Sequence, residues 1–173
     1  ERHSLQGKQN PTGGGSPLNN DCPDNVTLSE RLLKDGRYAD AGRLRSDVKV
    51  APPAALCKTA LCHILAGEHA QAIVRLRSAL EAAERLPSRP RKPETPTAQS
   101  ISALQNATNV YARPVGDCYT ALVPDVLKEN ILRLMIDSHA ALGEWPNVVE
   151  LGTPLLPKGY TNVSDAIAKA AEQ

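Results

Sequence analysis

Gly67-Glu68-His69-Ala70-Gln71-Ala72-Ile73, followed by Leu76, Ala79 and Leu80, decides how this chain is read. The stretch has two echoes. Gly36-Arg37-Tyr38-Ala39-Asp40-Ala41 leads into Leu44, Val48 and Pro53. Gly143-Glu144-Trp145-Pro146-Asn147-Val148-Val149 leads into Leu151, Leu155 and Leu156. In each copy a turn Gly is followed by a charged residue and, five positions on, by a small or β-branched one. Amphipathic runs lie before and after the Gly. The pattern predicts helical hairpins whose second helix packs a small residue close against the first. Hairpins in series make solenoids, and solenoids usually bind other proteins.

The best hairpin is expected from Pro53 to Leu86. Leu56, Ala60, Leu61, Ile64 and Leu65 stand at helical spacing before Gly67, and Ala72, Ile73, Leu76, Ala79, Leu80 and Ala83 after it. Ala60 and Ala72 are small where the two axes come closest, since larger side chains would push them apart. Pro52-Pro53 stops one helix and can open the next, because Pro at a first helical position loses no hydrogen bond. Upstream, Thr27-Leu28-Ser29-Glu30 fits a capping box. It opens a helix with Leu28, Leu32 and Leu33 on one stripe, and a second helix is expected from Tyr38 to Val48.

Downstream, Ile101, Leu104, Ala107 and Val110 predict one modest helix. Pro124 and Asp125 open a stronger one carrying Leu127, Ile131, Leu134, Met135 and Ser138 on one side and reaching Leu142-Gly143. A short helix should follow to about Leu156, disturbed by Gly152 and Pro154, and Ser164-Asp165 should cap a last helix with Ile167, Ala170 and Ala171. No strand pattern is visible. Aromatics make up 3% of the chain and Phe is absent, so the core must be Leu, Ala, Val and Ile. The expected fold class is all-α, with hairpins over 28–48, 54–86 and 124–156 stacked as a short α-solenoid.

Two stretches are too polar to offset the entropy of ordering a backbone, about 1–2 kcal/mol per residue. They are a low-complexity, extended or disordered tail over 1–21, which includes Gly13-Gly14-Gly15-Ser16, and a Pro-rich linker over 87–99. The folded parts are then 22–86 and 100–173. The chain begins at Glu1 rather than Met, as a fragment or processed chain would.

Net charge is +1, which demands neither nucleic acid nor an acidic membrane surface. The distribution is uneven. Residues 43–92 hold ten Lys or Arg against four Asp or Glu, a local +6, and residues 124–173 hold four against seven, a local −3. Two solvated faces account for this most simply. No apolar run approaches the roughly 20 residues of a membrane-spanning helix. Cys22, Cys57, Cys62 and Cys118 show no disulfide-framework spacing, and the sequons at Asn25, Asn106 and Asn162 are short enough to arise by chance. The expected location is intracellular and cytoplasmic, with reduced thiols.

Gly67, Ala72, Leu76 and Ala79 resemble the tetratricopeptide repeat, in which a turn Gly or Asn precedes a small residue, a large apolar one and another small one. Ala60 and His63 match the preceding helix more loosely. In the first copy Gly36, Tyr38, Ala41 and Pro53 match, while Arg45 stands where an apolar residue belongs. In the third, Gly143 and Trp145 match, and Val148, Gly152 and Leu155 are degenerate. The resemblance covers about 28–86 well and 124–156 weakly. It implies a right-handed superhelix whose concave face draws on the first helix of each pair, here Leu56, Cys57, Leu61, Ile64 and Leu65. The basic residues by which some relatives clamp a C-terminal carboxylate are missing. The expected ligand is therefore an apolar helix or a neighbouring helical repeat, with Leu56, Leu61, Ile64 and Leu65 as partner-binding residues. The plainer role for the same side chains is inter-repeat core.

The sequence carries no catalytic, metal or cofactor signature. Cys57, Cys62 and His63 are five and six residues apart, which turns Cys57 away from the other two on a helix, so buried small thiols are expected there. His69 reads as a solvated helix-start residue and His139 as packing. Gly13-Gly14-Gly15 lacks the Lys and the helix of a phosphate loop. Pro87, Pro90, Pro93 and Pro96 recur every three residues, on one edge of a polyproline II helix, which reads as a stiff spacer or a weak SH3-type ligand. No catalysis is expected. The leading expectation is a protein-interaction subunit of a multiprotein complex. The alternative is a ribonucleoprotein subunit that contacts RNA phosphates through Arg75, Arg77, Arg89, Arg91 and Lys92, which would make binding salt-sensitive.

Overall fold

The computed structural model describes residues 28, 31–32, 34–46, 52–87, 95–114 and 123–173. These residues contain no strand. Their α-helices are α1 (Tyr38–Ser46), α2 (Pro53–Leu65), α3 (His69–Glu84), α4 (Pro96–Asn106), α5 (Pro124–Ala141), α6 (Trp145–Gly152) and α7 (Thr161–Ala170). Two 3₁₀ segments, Asn109–Ala112 and Thr153–Lys158, complete the set. Leu28, Arg31, Leu32 and Lys34 are helical as well and lead into the turn before α1. The all-α class read from apolar spacing is the class observed.

The three glycines that open the repeated pattern sit in three equivalent turns. Gly36, Gly67 and Gly143 have φ of +72°, +76° and +72°. A Cβ at any of them would meet nothing within 4 Å, so the backbone conformation, not space, calls for Gly. In each turn the amide after the Gly reaches back five residues: Arg37 N–H donates to Leu32 O at 2.8 Å, Glu68 N–H to His63 O at 2.8 Å, and Glu144 N–H to His139 O at 2.9 Å. This bond satisfies a carbonyl that the ending helix would leave free. Five residues after each Gly stand Ala41, Ala72 and Val148, all 0% exposed. The small or β-branched position of the pattern is thus fully buried in all three copies.

Helices pack on their neighbours in chain order: α1 on α2, α2 on α3, α3 on α5, α5 on α6, and α6 on α7, which also returns to α5. The apolar interior follows this order. Leu32, Ala41 and Cys62 form a first cluster. Cys57, Ala60, Leu61, Leu76, Ala79 and Ala83 meet Tyr111, Leu127, Ile131, Leu134 and Met135 in the central one. Ile136, Val148, Leu155, Tyr160, Val163 and Ala166 form the last. Full burial of a Leu or Ile contributes about 1.5–3 kcal/mol, so Leu76, Leu127, Ile131 and Leu134 dominate the central cluster. Helix α2 is buried on two sides, with Cys57 facing the central cluster and Cys62 the first. The five-residue spacing separates the two thiols as expected.

Several details depart from the sequence reading. The last helix begins at Thr161, so Ser164 is inside it and its hydroxyl donates to Tyr160 O at 3.2 Å instead of capping. Helix α4 starts at Pro96 with Thr95 as its cap, so the end of the expected linker is helical and Pro96 cannot extend a polyproline edge. The modest helix around Ile101 stops at Asn106, and Val110 lies in a 3₁₀ segment. After Gly152 the backbone tightens into the second 3₁₀ segment, which contains Pro154 and Pro157. Proline has no N–H and crowds the preceding turn, so a regular α-helix cannot continue there. Thr27, Ser29 and Glu30 of the capping box, the 1–21 tail, Cys22, Cys118, Asn25 and residues 88–94 lie outside the described residues.

Candidate functional site

The four residues expected to bind a partner do not form one open surface. Leu61 is 4% exposed and belongs to the central cluster. Leu56 and Ile64 are half-buried against the same cluster. Leu65, at the end of α2, is 56% exposed. The reason is the position of α2 between α1 and α3, which covers most of its circumference. Other large apolar side chains are exposed at Val74 on α3, Leu142 at the end of α5 and Val149 on α6, and at Ile101 and Leu104 on α4. Of the basic residues considered for RNA, Arg75 is half-buried and Arg77 exposed, while Arg89, Arg91 and Lys92 lie outside the described residues.

The histidines are more engaged than expected. His63 Nδ1 lies 2.7 Å from Glu68 Oε2. His139, 2% exposed, has Nδ1 at 2.5 Å from Glu144 Oε2. Each pair spans one hairpin turn at the same spacing. His139 is therefore a hydrogen-bonding residue and not only packing. His69 also differs from expectation: it is half-buried, and its Nδ1 is buried without a hydrogen-bond partner.

The densest polar constellation was not singled out in the sequence. Arg133 on α5 is 3% exposed, and its guanidinium lies between two tyrosine rings, 3.8 Å from the Tyr111 centroid and 4.2 Å from that of Tyr160. Its Nε donates to Asn162 Oδ1 at 2.8 Å and its Nη2 to Asn106 O at 3.3 Å. Glu129 and Asp137, one turn before and one turn after Arg133 on the same helix face, accept from the flanking rings: Tyr160 OH donates to Glu129 and Tyr111 OH to Asp137. Asn162 Nδ2 donates to Asp137 Oδ1 at 2.9 Å, and Lys158 Nζ bridges to Glu129 Oε1 at 2.8 Å. Asn106 Nδ2 closes the set on Lys158 O at 3.0 Å.

This cluster ties α5 to the segment after α4 and to α7. Arg carries a planar, weakly hydrated cation that stacks on aromatic faces, which a Lys ammonium does not reproduce. Burial lowers the pKa of Arg133, and the neighbouring Tyr111, Tyr160, Asp137 and Glu129 oppose that shift. Burial raises the pKa of Tyr111, and the hydrogen bond to Asp137 raises it further. The site is a closed polar core, built to hold elements together. The only sequence signal was the i, i+4, i+8 spacing of Glu129, Arg133 and Asp137. The two tyrosines are 49 residues apart in the chain. The sequons at Asn106 and Asn162 fall inside this network, where both amide nitrogens already donate.

Among the described residues no group of three or more His, Cys, Asp or Glu side chains could hold a metal ion. No helix among them is long and apolar enough to cross a membrane. Comparison with protein-family models, with curated proteins and with solved structures returned no match for this chain.

Proposed function

We propose that this chain is a non-catalytic protein-interaction module of a multiprotein complex, built as a tetratricopeptide-like array of helical hairpins. One observation carries the reading: three turns, at Gly36, Gly67 and Gly143, share one backbone geometry and one fully buried position five residues on. Neighbour-on-neighbour packing from α1 to α7 supports it, because each hairpin of an array buries its faces against the next. The segment containing α4 is then an insertion between the second and third hairpins.

The partner is an apolar helix or a neighbouring helical repeat. Leu65 and Leu142 support this, as exposed apolar side chains two residues and one residue before a turn Gly. Apolar contact of this kind is less salt-sensitive than phosphate binding. The test is affinity purification of the full chain with mass spectrometry of captured proteins, repeated with Leu65→Asp and with Arg77→Ala. Capture of a defined protein that is lost in Leu65→Asp, with unchanged circular dichroism, supports the reading. Capture that survives Leu65→Asp but is abolished by nuclease, by salt and by Arg77→Ala replaces it with the ribonucleoprotein alternative.

A further inference from the structure

Of residues 95–114, only Tyr111 is buried. Helix α4 contributes no buried residue, and Ile101, Leu104 and Val110 are exposed. Helix α4 packs on the first 3₁₀ segment, and that segment packs on α5. Tyr111 is therefore the anchor of the whole stretch. Its side chain enters the central cluster, its hydroxyl donates to Asp137, and its ring lies on the Arg133 guanidinium at 3.8 Å. Elements with little buried apolar contact open first. By that rule 95–114 comes away before α3 and α5, which carry much of the central cluster.

We propose that residues 95–114 are a detachable strap, and that the place Tyr111 leaves binds an unphosphorylated tyrosine on a segment of a partner protein. The occupant is read from the side chain seated there now. The Arg133 guanidinium faces an aromatic ring, and Asp137 accepts a phenol hydroxyl. Both groups keep partners when the strap leaves. Arg133 retains the Tyr160 ring at 4.2 Å and Asn162 Oδ1 at 2.8 Å, and Asp137 still accepts from Asn162 Nδ2 at 2.9 Å. A phosphotyrosine is excluded, because its charge would meet the Asp137 carboxylate.

The strap also sets a threshold. A ligand tethered in the same chain acts at an effective concentration that a free partner must exceed. Partner affinity is reduced by the fraction of molecules whose strap is open. Loosening the strap therefore raises partner binding with no change in the contacts the partner makes. The site uses neither Leu65 nor Leu142, so it does not rest on the apolar-helix reading.

The probe is a synthetic peptide of residues 106–113, added to the full chain and to its Tyr111→Ala variant, with binding read by calorimetry. Tyr111→Ala should bind it at least about tenfold more tightly than the parent, whose own strap fills the site. The same peptide carrying phosphotyrosine should bind the variant about tenfold more weakly. In the parent, the amides of 97–112 should exchange hydrogen at least about tenfold faster than those of α5, and excess peptide should speed them further. Equal affinity for parent and variant, or no binding to a variant with native circular dichroism, overturns the tyrosine site. Equal binding of the phosphotyrosine peptide overturns the stated chemistry. Exchange of 97–112 in step with α5 overturns the strap. If Tyr111→Ala fails to fold, the parent decides: peptide that leaves the exchange of 97–112 unchanged overturns the site.

Discussion

His139 and Glu144 clasp the third hairpin turn, with Nδ1 and Oε2 2.5 Å apart across the left-handed Gly143. His63 and Glu68 clasp the second turn in the same way at 2.7 Å. In the first turn Leu32 and Arg37 occupy these places, so the backbone bond remains, and Arg37 pairs with Asp40 instead. Turn geometry is therefore common to the three hairpins, and the side-chain clasp is an addition in two of them.

The clasp has a pH dependence with a definite sign. The hydrogen bond from His139, and then that from Asn147, hold the Glu144 carboxyl below its ordinary value of 4.5. A depressed acid contributes stability above its unfolded pKa and loses it as pH falls through the folded one. The Glu144→Gln variant should therefore show a flatter fall of melting temperature on acidification below pH 4.5 than the parent. Parallel acid limbs for the two proteins would count against the clasp.

Arg133→Ala should be among the most damaging single changes. It leaves two half-buried carboxylates, two tyrosine hydroxyls and Asn162 around a vacancy. Removing one partner of a buried charged network typically costs about 3–5 kcal/mol. Arg133→Lys should recover only part of this, since the ammonium cannot stack between two rings while also donating to Asn162 and to Asn106 O. Urea unfolding of both variants measures the loss, and a cost under about 1 kcal/mol for Arg133→Ala would contradict the role assigned to it.

At Gly152, on α6, α7 leaves no room for a side chain. A Cβ there would stand 2.8 Å from Ile167 Cδ1 and 3.3 Å from Val163 Cγ1. Gly152→Ala should gain about 1 kcal/mol in helix propensity and lose about 1–3 kcal/mol to overpacking. The expected net is mild destabilisation, which Ile167→Ala should relieve in a double-mutant cycle. Additive effects of the two changes would mean that the helices do not meet at this point.

The two thiols on α2 should be inert. Burial pushes the Cys57 thiol up from 9.0 to about 12, against a smaller opposing effect of Lys58, and Cys62 is 0% exposed. A raised acid pKa contributes stability that is full below the unfolded value and is lost as pH rises through the folded one. Native chain carrying Cys22→Ser and Cys118→Ser should therefore react slowly with a thiol reagent at pH 8 and quickly in denaturant. Its stability should fall between pH 9 and pH 12. Rapid native labelling would place one of these thiols at the surface.

The chain by itself determined its local structure. Apolar residues three and four apart made helices around Gly67 and Gly143, and the left-handed turn admitted Gly because other residues pay a steric cost there. The same local rules set Ala41, Ala72 and Val148 as contact positions, since each lies at a fixed offset from its turn. Only the tertiary structure decided which apolar faces stayed open. Leu61 and Leu65 are four residues apart on one helix face, yet one is core and the other solvent-exposed, because α1 and α3 flank α2 along its length but leave its end uncovered. The arginine sandwich belongs to the same class. Tyr111, Arg133 and Tyr160 carry no local pattern that joins them, and their meeting depends on α5, the 3₁₀ segment before it and the start of α7 coming together in three dimensions.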